Sequence, residues 1–153
     1  MDPVKVLTSD YDSTLDYIDK CDAHMFRIKN WTLITTSAVV AYSISSGTEF
    51  VVLVNLILIP AFLYLELIYK SFQDSAIDHT TDISERIDRA LSQDGTDDLI
   101  TGYEFGFGRK LQYPSLSRCM KILRNKNRKH ILNSYSFIFV FSIGAFIVGR
   151  YVA

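Results

Sequence analysis

Six cations and no acid lie within residues 117–130, "SRCMKILRNKNRKH": Arg118, Lys121, Arg124, Lys126, Arg128 and Lys129. Just before them, "GYEFGFGRKLQYP" alternates glycine with aromatics and adds two cations, so that Tyr103, Phe105, Phe107 and Tyr113 stand close to Arg109 and Lys110. Rings beside a cationic track suit a single-stranded nucleic acid, whose bases stack while its phosphates pair with the cations, without reading of sequence. The candidate ligand set is therefore Arg109, Lys110, Arg118, Lys121, Arg124, Arg128 and Lys129, with Tyr103, Phe105, Phe107 and Tyr113 as stacking partners. A plainer reading competes with it: a basic run just inside an apolar segment is a topological stop or a patch for anionic lipid. The glycine spacing fits no phosphate-binding loop, because no suitable strand and helix flank it.

A second chemical feature is a lone acid. Residues 51–70, "VVLVNLILIPAFLYLELIYK", are almost wholly apolar yet hold Glu66, with Asn55 and Pro60 earlier in the run. Glu66 stands four residues before Lys70, the favourable order for an ion pair along a helix. The other reading places Glu66 toward a bundle interior or an aqueous cavity, as intramembrane acids commonly are. In a symmetric oligomer it would then repeat as an acidic ring, which favours cations. Pro60 removes a backbone hydrogen bond and disposes a helix to kink.

Upstream, Thr32, Thr35, Thr36, Ser43 and Ser46 fall within about 100° of a helical wheel at 3.6 residues per turn. Such hydroxyls bond their own backbone, pack against a neighbouring helix or face water. The candidate pore and gate residues are Thr32, Thr36, Ser43, Pro60 and Glu66.

No catalytic set emerges. His24, His79 and His130 are far apart and lack partners at metal-ligand spacing. Nucleophile elbow, Walker loop and HExxH are all missing from the sequence, so the expectation is a protein that is not an enzyme and needs no cofactor or metal.

The elements that must position these residues follow from charge patterning. The 153 residues carry a net charge of -1, and a mean hydropathy of +0.13 averages out strong contrasts. Between Trp31 and Tyr69 only Glu49 and Glu66 are charged, and from Ile131 onward only Arg150 is. A hydrocarbon core about 30 Å thick takes roughly 20 apolar residues as a helix. Residues 31–47, 50–69 and 131–152 fit that length, the first least well because of its hydroxyls. Three such runs in so short a chain leave too little polar surface for a soluble bundle. Residues 31–47 do not read as a signal peptide, given the long acidic stretch before them and no cleavage pattern after them.

Lys and Arg set the orientation. Residues 1–30 carry Lys5, Lys20, Arg27 and Lys29, the turn "SSGTE" carries none, and residues 70–130 carry eleven cations. The N-terminus and residues 70–130 are thus expected in the cytoplasm and the C-terminus outside. The sequon Asn30-Trp31-Thr32 then lies on the cytoplasmic side and is silent, and Cys21 and Cys119 face a reducing compartment, where no disulfide is expected.

Residues 1–12 read as a polar tail, with a helix starting near Ser13 and running on into the first span. Beyond Lys70 the helical pattern continues. Ala76, Thr80, Ile83, Ile87 and Ala90 follow a 4-3-4-3 spacing like a short coiled-coil seam, ended at Asp94-Gly95. In the last span Ser142, Ala145 and Gly149 share a face on which small residues permit close helix approach.

The stretch "RIKNWTLITTSAVVAYSI…LILIPAFLYLELIYKSF" resembles the shared core of a group of small bacterial membrane proteins. Their pattern is an Arg/Lys–x–Trp lead into the first span, a Pro inside the second, then an acid and a Tyr at its cytoplasmic exit. Here these are Arg27, Lys29, Trp31, Pro60, Glu66 and Tyr69. The nearest resemblance is to the membrane component of bacterial Hailong anti-phage systems, with the two-span SLATT effectors second. The first resemblance implies a homotetrameric channel. It also implies a partner nucleotidyltransferase making oligodeoxyadenylate, which holds the channel closed until phage nucleases remove it and growth arrests. Many members carry a basic segment directly after the Tyr, whereas "SFQDSAIDHTTD" here is acidic.

The sequence therefore leads to an all-α membrane protein of the bacterial inner membrane, with three transmembrane helices and a cytoplasmic helical stalk and gate region. Its parts are a cytoplasmic N-terminal helix (1–30), spans at 31–47, 50–69 and 131–152, and a stalk and basic ligand region at 70–130. It is expected to be a homo-oligomer, tetrameric by resemblance, acting as an effector ion channel gated by a nucleic-acid signal. The reading from another class is a non-conducting anchor that recruits a soluble partner through residues 70–130.

Overall fold

The computed structural model describes residues 3–92, 115–125 and 128–152. Every element among them is helical: α1 (Pro3–Ser46), a 3-10 helix (Glu49–Val54), α2 (Asn55–Ser92), α3 (Leu116–Arg124) and α4 (Lys129–Val152). Residues 3–23 and 70–92 belong to one compact unit, and residues 24–69, 115–125 and 128–152 to a second.

α1 starts at Pro3, well before the start expected at Ser13. Proline suits the first helical position, because the amide hydrogen it lacks would have no partner there. Ser13 is not a cap. Its Oγ donates to the Ser9 carbonyl at 2.8 Å, a bond made from inside a helix. α1 ends at Gly47, whose φ of 64° suits glycine at the residue after a helix. The Thr48 amide donates to the Ser43 carbonyl at 3.2 Å, and Ser43 Oγ donates to the Thr48 carbonyl at 3.0 Å, closing the turn that "SSGTE" announces. The expected helix end at Asp94-Gly95 lies outside the described residues.

In the first unit, Leu7 and Ile83 are fully buried against each other, with Tyr11 and Ile87 packed around them. The seam predicted at Ile83 and Ile87 is thus filled from the same chain. Ala76 and Thr80 are also buried, and the Thr80 hydroxyl donates to the Ala76 carbonyl. His79 Nε2 lies 3.3 Å from Asp10 Oδ2, which gives the buried imidazole a part-buried carboxylate as partner. Burial pushes the Cys21 thiol above its ordinary range, only partly offset by a hydrogen bond with Tyr17 and the charge of Lys70. Both cysteines are free thiols.

In the second unit α4 packs on α2 and on the 3-10 helix. Ile59, Ile131, Tyr135 and Ile138 form its main core, with Phe62 and Leu63 at the edge. α3 is amphipathic: Cys119 and Ile122 pack on Leu67, while Lys121 and Arg124 are exposed.

Two helical stretches, Phe50–Arg89 and Lys129–Val148, are long and apolar enough to cross a membrane by length and composition. Residues 31–47 are not among them, because seven Ser and Thr side chains lower their hydropathy.

Candidate functional site

Beside its apolar core, the second unit buries a set of polar side chains while many large apolar ones stay exposed. Thr32, Thr36, Ser43, Asn55, Glu66 and Ser142 are all buried. Leu33, Ile34, Ile57, Phe137, Val140 and Phe141 are exposed. A protein folding in water arranges these types the other way round, and an exposed apolar surface on this scale marks contact with something other than water.

At the centre stands Glu66, 1% exposed on α2. Its Oε1 lies 3.2 Å from Lys29 Nζ on α1, and the Lys29 side chain keeps 38% of its surface in contact with solvent. The expected partner four residues on, Lys70, instead pairs with Asp74 at 3.9 Å and donates to Gln73. The physical reason is burial: a carboxylate facing the helix bundle takes the cation that enters from the neighbouring helix. The hydroxyl of buried Tyr135 stands within hydrogen-bonding reach of Glu66 and Thr32, placed to donate to the carboxylate. Lys29 and this hydroxyl thus match a carboxylate that would be costly to bury alone in a low dielectric.

A second polar contact ties three elements. Asn55 Nδ2 donates to the Thr36 carbonyl at 3.4 Å and to Ser142 Oγ at 3.2 Å, while Ser142 Oγ donates to the Ile138 carbonyl. Asn55 Oδ1 has no partner. Interhelical hydrogen bonds of this kind hold helices together where burial of apolar surface gives no net drive, as between spans in lipid.

The predicted pore and gate residues divide. Thr32 donates to the Ile28 carbonyl at 2.8 Å and Thr36 to the Thr32 carbonyl at 2.7 Å. Those two, Ser43 and Glu66 face the interior of one chain, whereas Pro60 is exposed within α2. Of the predicted ligand residues, Tyr103, Phe105, Phe107, Arg109, Lys110 and Tyr113 lie outside the described residues, as does the Arg118 side chain. Lys121, Arg124 and Lys129 are exposed and Arg128 is half-buried. Among the described residues no group of three or more His, Cys, Asp and Glu is placed to hold a metal.

Sequence reasoning singled out Lys29 and Glu66 separately but not as a pair, and gave Tyr135 no role. The usable signal was a cation two residues before the first span and a lone acid near the end of the second. Tyr69, another position of the same pattern, stacks on His24 with ring centroids 5.0 Å apart. The chain matches no protein-family model, no curated protein and no solved structure.

Proposed function

We propose that the chain is a three-span membrane protein that assembles into a homo-oligomeric ion channel gated by a cytoplasmic nucleic-acid signal. The observation that carries this reading is a buried carboxylate, Glu66, matched to Lys29 and beside the Tyr135 hydroxyl, inside a bundle with an apolar exterior. Intramembrane acids mark ion pathways. Residues 31–47, 50–69 and 131–152 are the spans of this account, and the inner membrane of a bacterium is its location. Thr32, Thr36, Ser43, Pro60 and Glu66 line the conducting path when the bundle opens. By the resemblance described above, the oligomer is a tetramer and the signal an oligodeoxyadenylate made by a partner nucleotidyltransferase.

The exposed cations of α3 support the ligand part. Lys121 and Arg124 stand on the side of α3 away from the Cys119 and Ile122 contact, free to meet phosphate. Single-stranded DNA binding to the full chain is expected to weaken with salt, with a log–log slope of about -0.7 for each neutralised phosphate. Replacing Lys121 and Arg124 by Gln should weaken binding and flatten the slope by about 1.4. Replacing Tyr103 by Ala should cost on the order of 1–3 kcal/mol and leave the slope unchanged. Affinity equal to the native value in both variants would reduce the basic run to a topological stop.

One observation favours the non-conducting anchor instead: the buried hydroxyls of Thr32 and Thr36 are bonded to their own helix, as in spans that only pack.

A further inference from the structure

In the second unit α1 and α4 enclose a groove of about 550 Å³, within the ~300–1,000 Å³ of small-molecule sites. Its polar lining comes from Lys29, Thr32, Asn133 and Ser134, and its apolar lining from Leu33, Phe137 and Ile138. Lys29 precedes Leu33 by a turn on α1, and Asn133 and Ser134 precede Phe137 and Ile138 by a turn on α4. Lys129 stands one turn before Asn133 on the same stripe of α4 and is exposed. Buried Tyr135 also lines the groove.

By sequence, the charge of this unit is one-sided. The second unit carries nine Lys and Arg against two acids, Glu49 and Glu66, a formal charge of +7. Glu66 is already matched to Lys29. Eight of the nine cations fall within residues 24–30 and 118–129, just before α1 and α4 turn apolar, and the ninth is Arg150. An occupant with an anionic head and an apolar tail fits such a lining, and a zwitterion fits it less well.

We propose that this groove is a binding site for one anionic phospholipid of the cytoplasmic leaflet. Its headgroup phosphate meets Lys29 and Lys129, with Asn133 and Ser134 as hydrogen-bond donors. An acyl chain lies along Leu33, Phe137 and Ile138. The proposal rests on the membrane reading above. It adds that the Lys29 cation serves two anions, the Glu66 carboxylate inside and a lipid phosphate outside, so lipid charge bears directly on the polar centre.

The test uses the full chain with Trp31→Phe and Phe137→Trp, which leaves one indole at a groove position that is 73% exposed in the native protein. The protein is reconstituted in phosphatidylcholine vesicles containing a rising fraction of brominated phosphatidylglycerol or brominated phosphatidylcholine, and fluorescence quenching is read. Half-quenching is expected at a lower fraction of the anionic lipid, by about fivefold for each cation engaged. Lys129→Gln, which leaves the buried pair intact, should cut that preference, and Lys29→Met with Glu66→Leu should cut it further. Equal quenching by both lipids, or a preference unchanged in both variants, overturns the site. An inserted protein whose indole neither lipid quenches overturns it too, and shows a protein surface such as a second copy covering the groove. A protein that fails to enter the vesicles at all instead overturns the membrane reading, which carbonate extraction distinguishes.

Discussion

Replacing Lys29 by Met is expected to destabilise the bundle by about 3 kcal/mol, the low end for breaking a buried ion pair. The low end applies because Lys29 is 38% exposed while Glu66 is 1% exposed. The variant leaves a buried carboxylate without its cation. Glu66→Gln should cost less, about 1 kcal/mol, because the Lys29 ammonium can turn toward water along its flexible stem. The double change Lys29→Met with Glu66→Leu should recover most of the loss, since a well-packed apolar pair often matches a buried ion pair. Unfolding of the detergent-solubilised protein by heat or denaturant measures all three. If Lys70→Met were the damaging change and Lys29→Met neutral, Glu66 would belong to Lys70 as the local spacing suggested.

Ile83→Ala should be strongly damaging to the first unit, at about 2–4 kcal/mol, because its side chain is fully buried against Leu7. Leu7→Ala should cost a similar amount, and the two losses should not add, since each removes the same contact. Ile77→Ala, on the same helix but 43% exposed, should stay within about 0.5 kcal/mol. Amide hydrogen exchange over residues 3–23 and 70–92 reads the effect locally. Full protection retained in Ile83→Ala would mean that the contact contributes little to the unit.

Helix content was legible, because long runs at helical spacing leave few alternatives. The apolar runs at 50–69 and 131–152, which fall within the two helical stretches apolar enough to cross a membrane or overlap them, were legible for the same reason. The start of α1 was not, since Pro3 and the polar residues after it look like a tail until Leu7 is seen to bury against Ile83, 76 positions away. The seam at Ile83 and Ile87 announced a partner but could not say that the partner was the same chain. Glu66 shows the limit most clearly. Its neighbour along the sequence offered a cation at favourable spacing, yet burial selected Lys29 from another helix, and periodicity carries no information about that choice. Asn55 was visible as a polar residue in an apolar run, but its bonds to Thr36 and Ser142 join positions that only tertiary packing brings together.

The most direct measurement of the proposed function is ion flux through the purified chain in liposomes, read with and without single-stranded oligodeoxyadenylate on the cytoplasmic face. A gated channel predicts flux in one condition and its loss in the other, with Lys121→Gln and Arg124→Gln together weakening the response to ligand. Inserted, correctly folded protein that passes no ions in either condition would contradict the account and leave a membrane anchor.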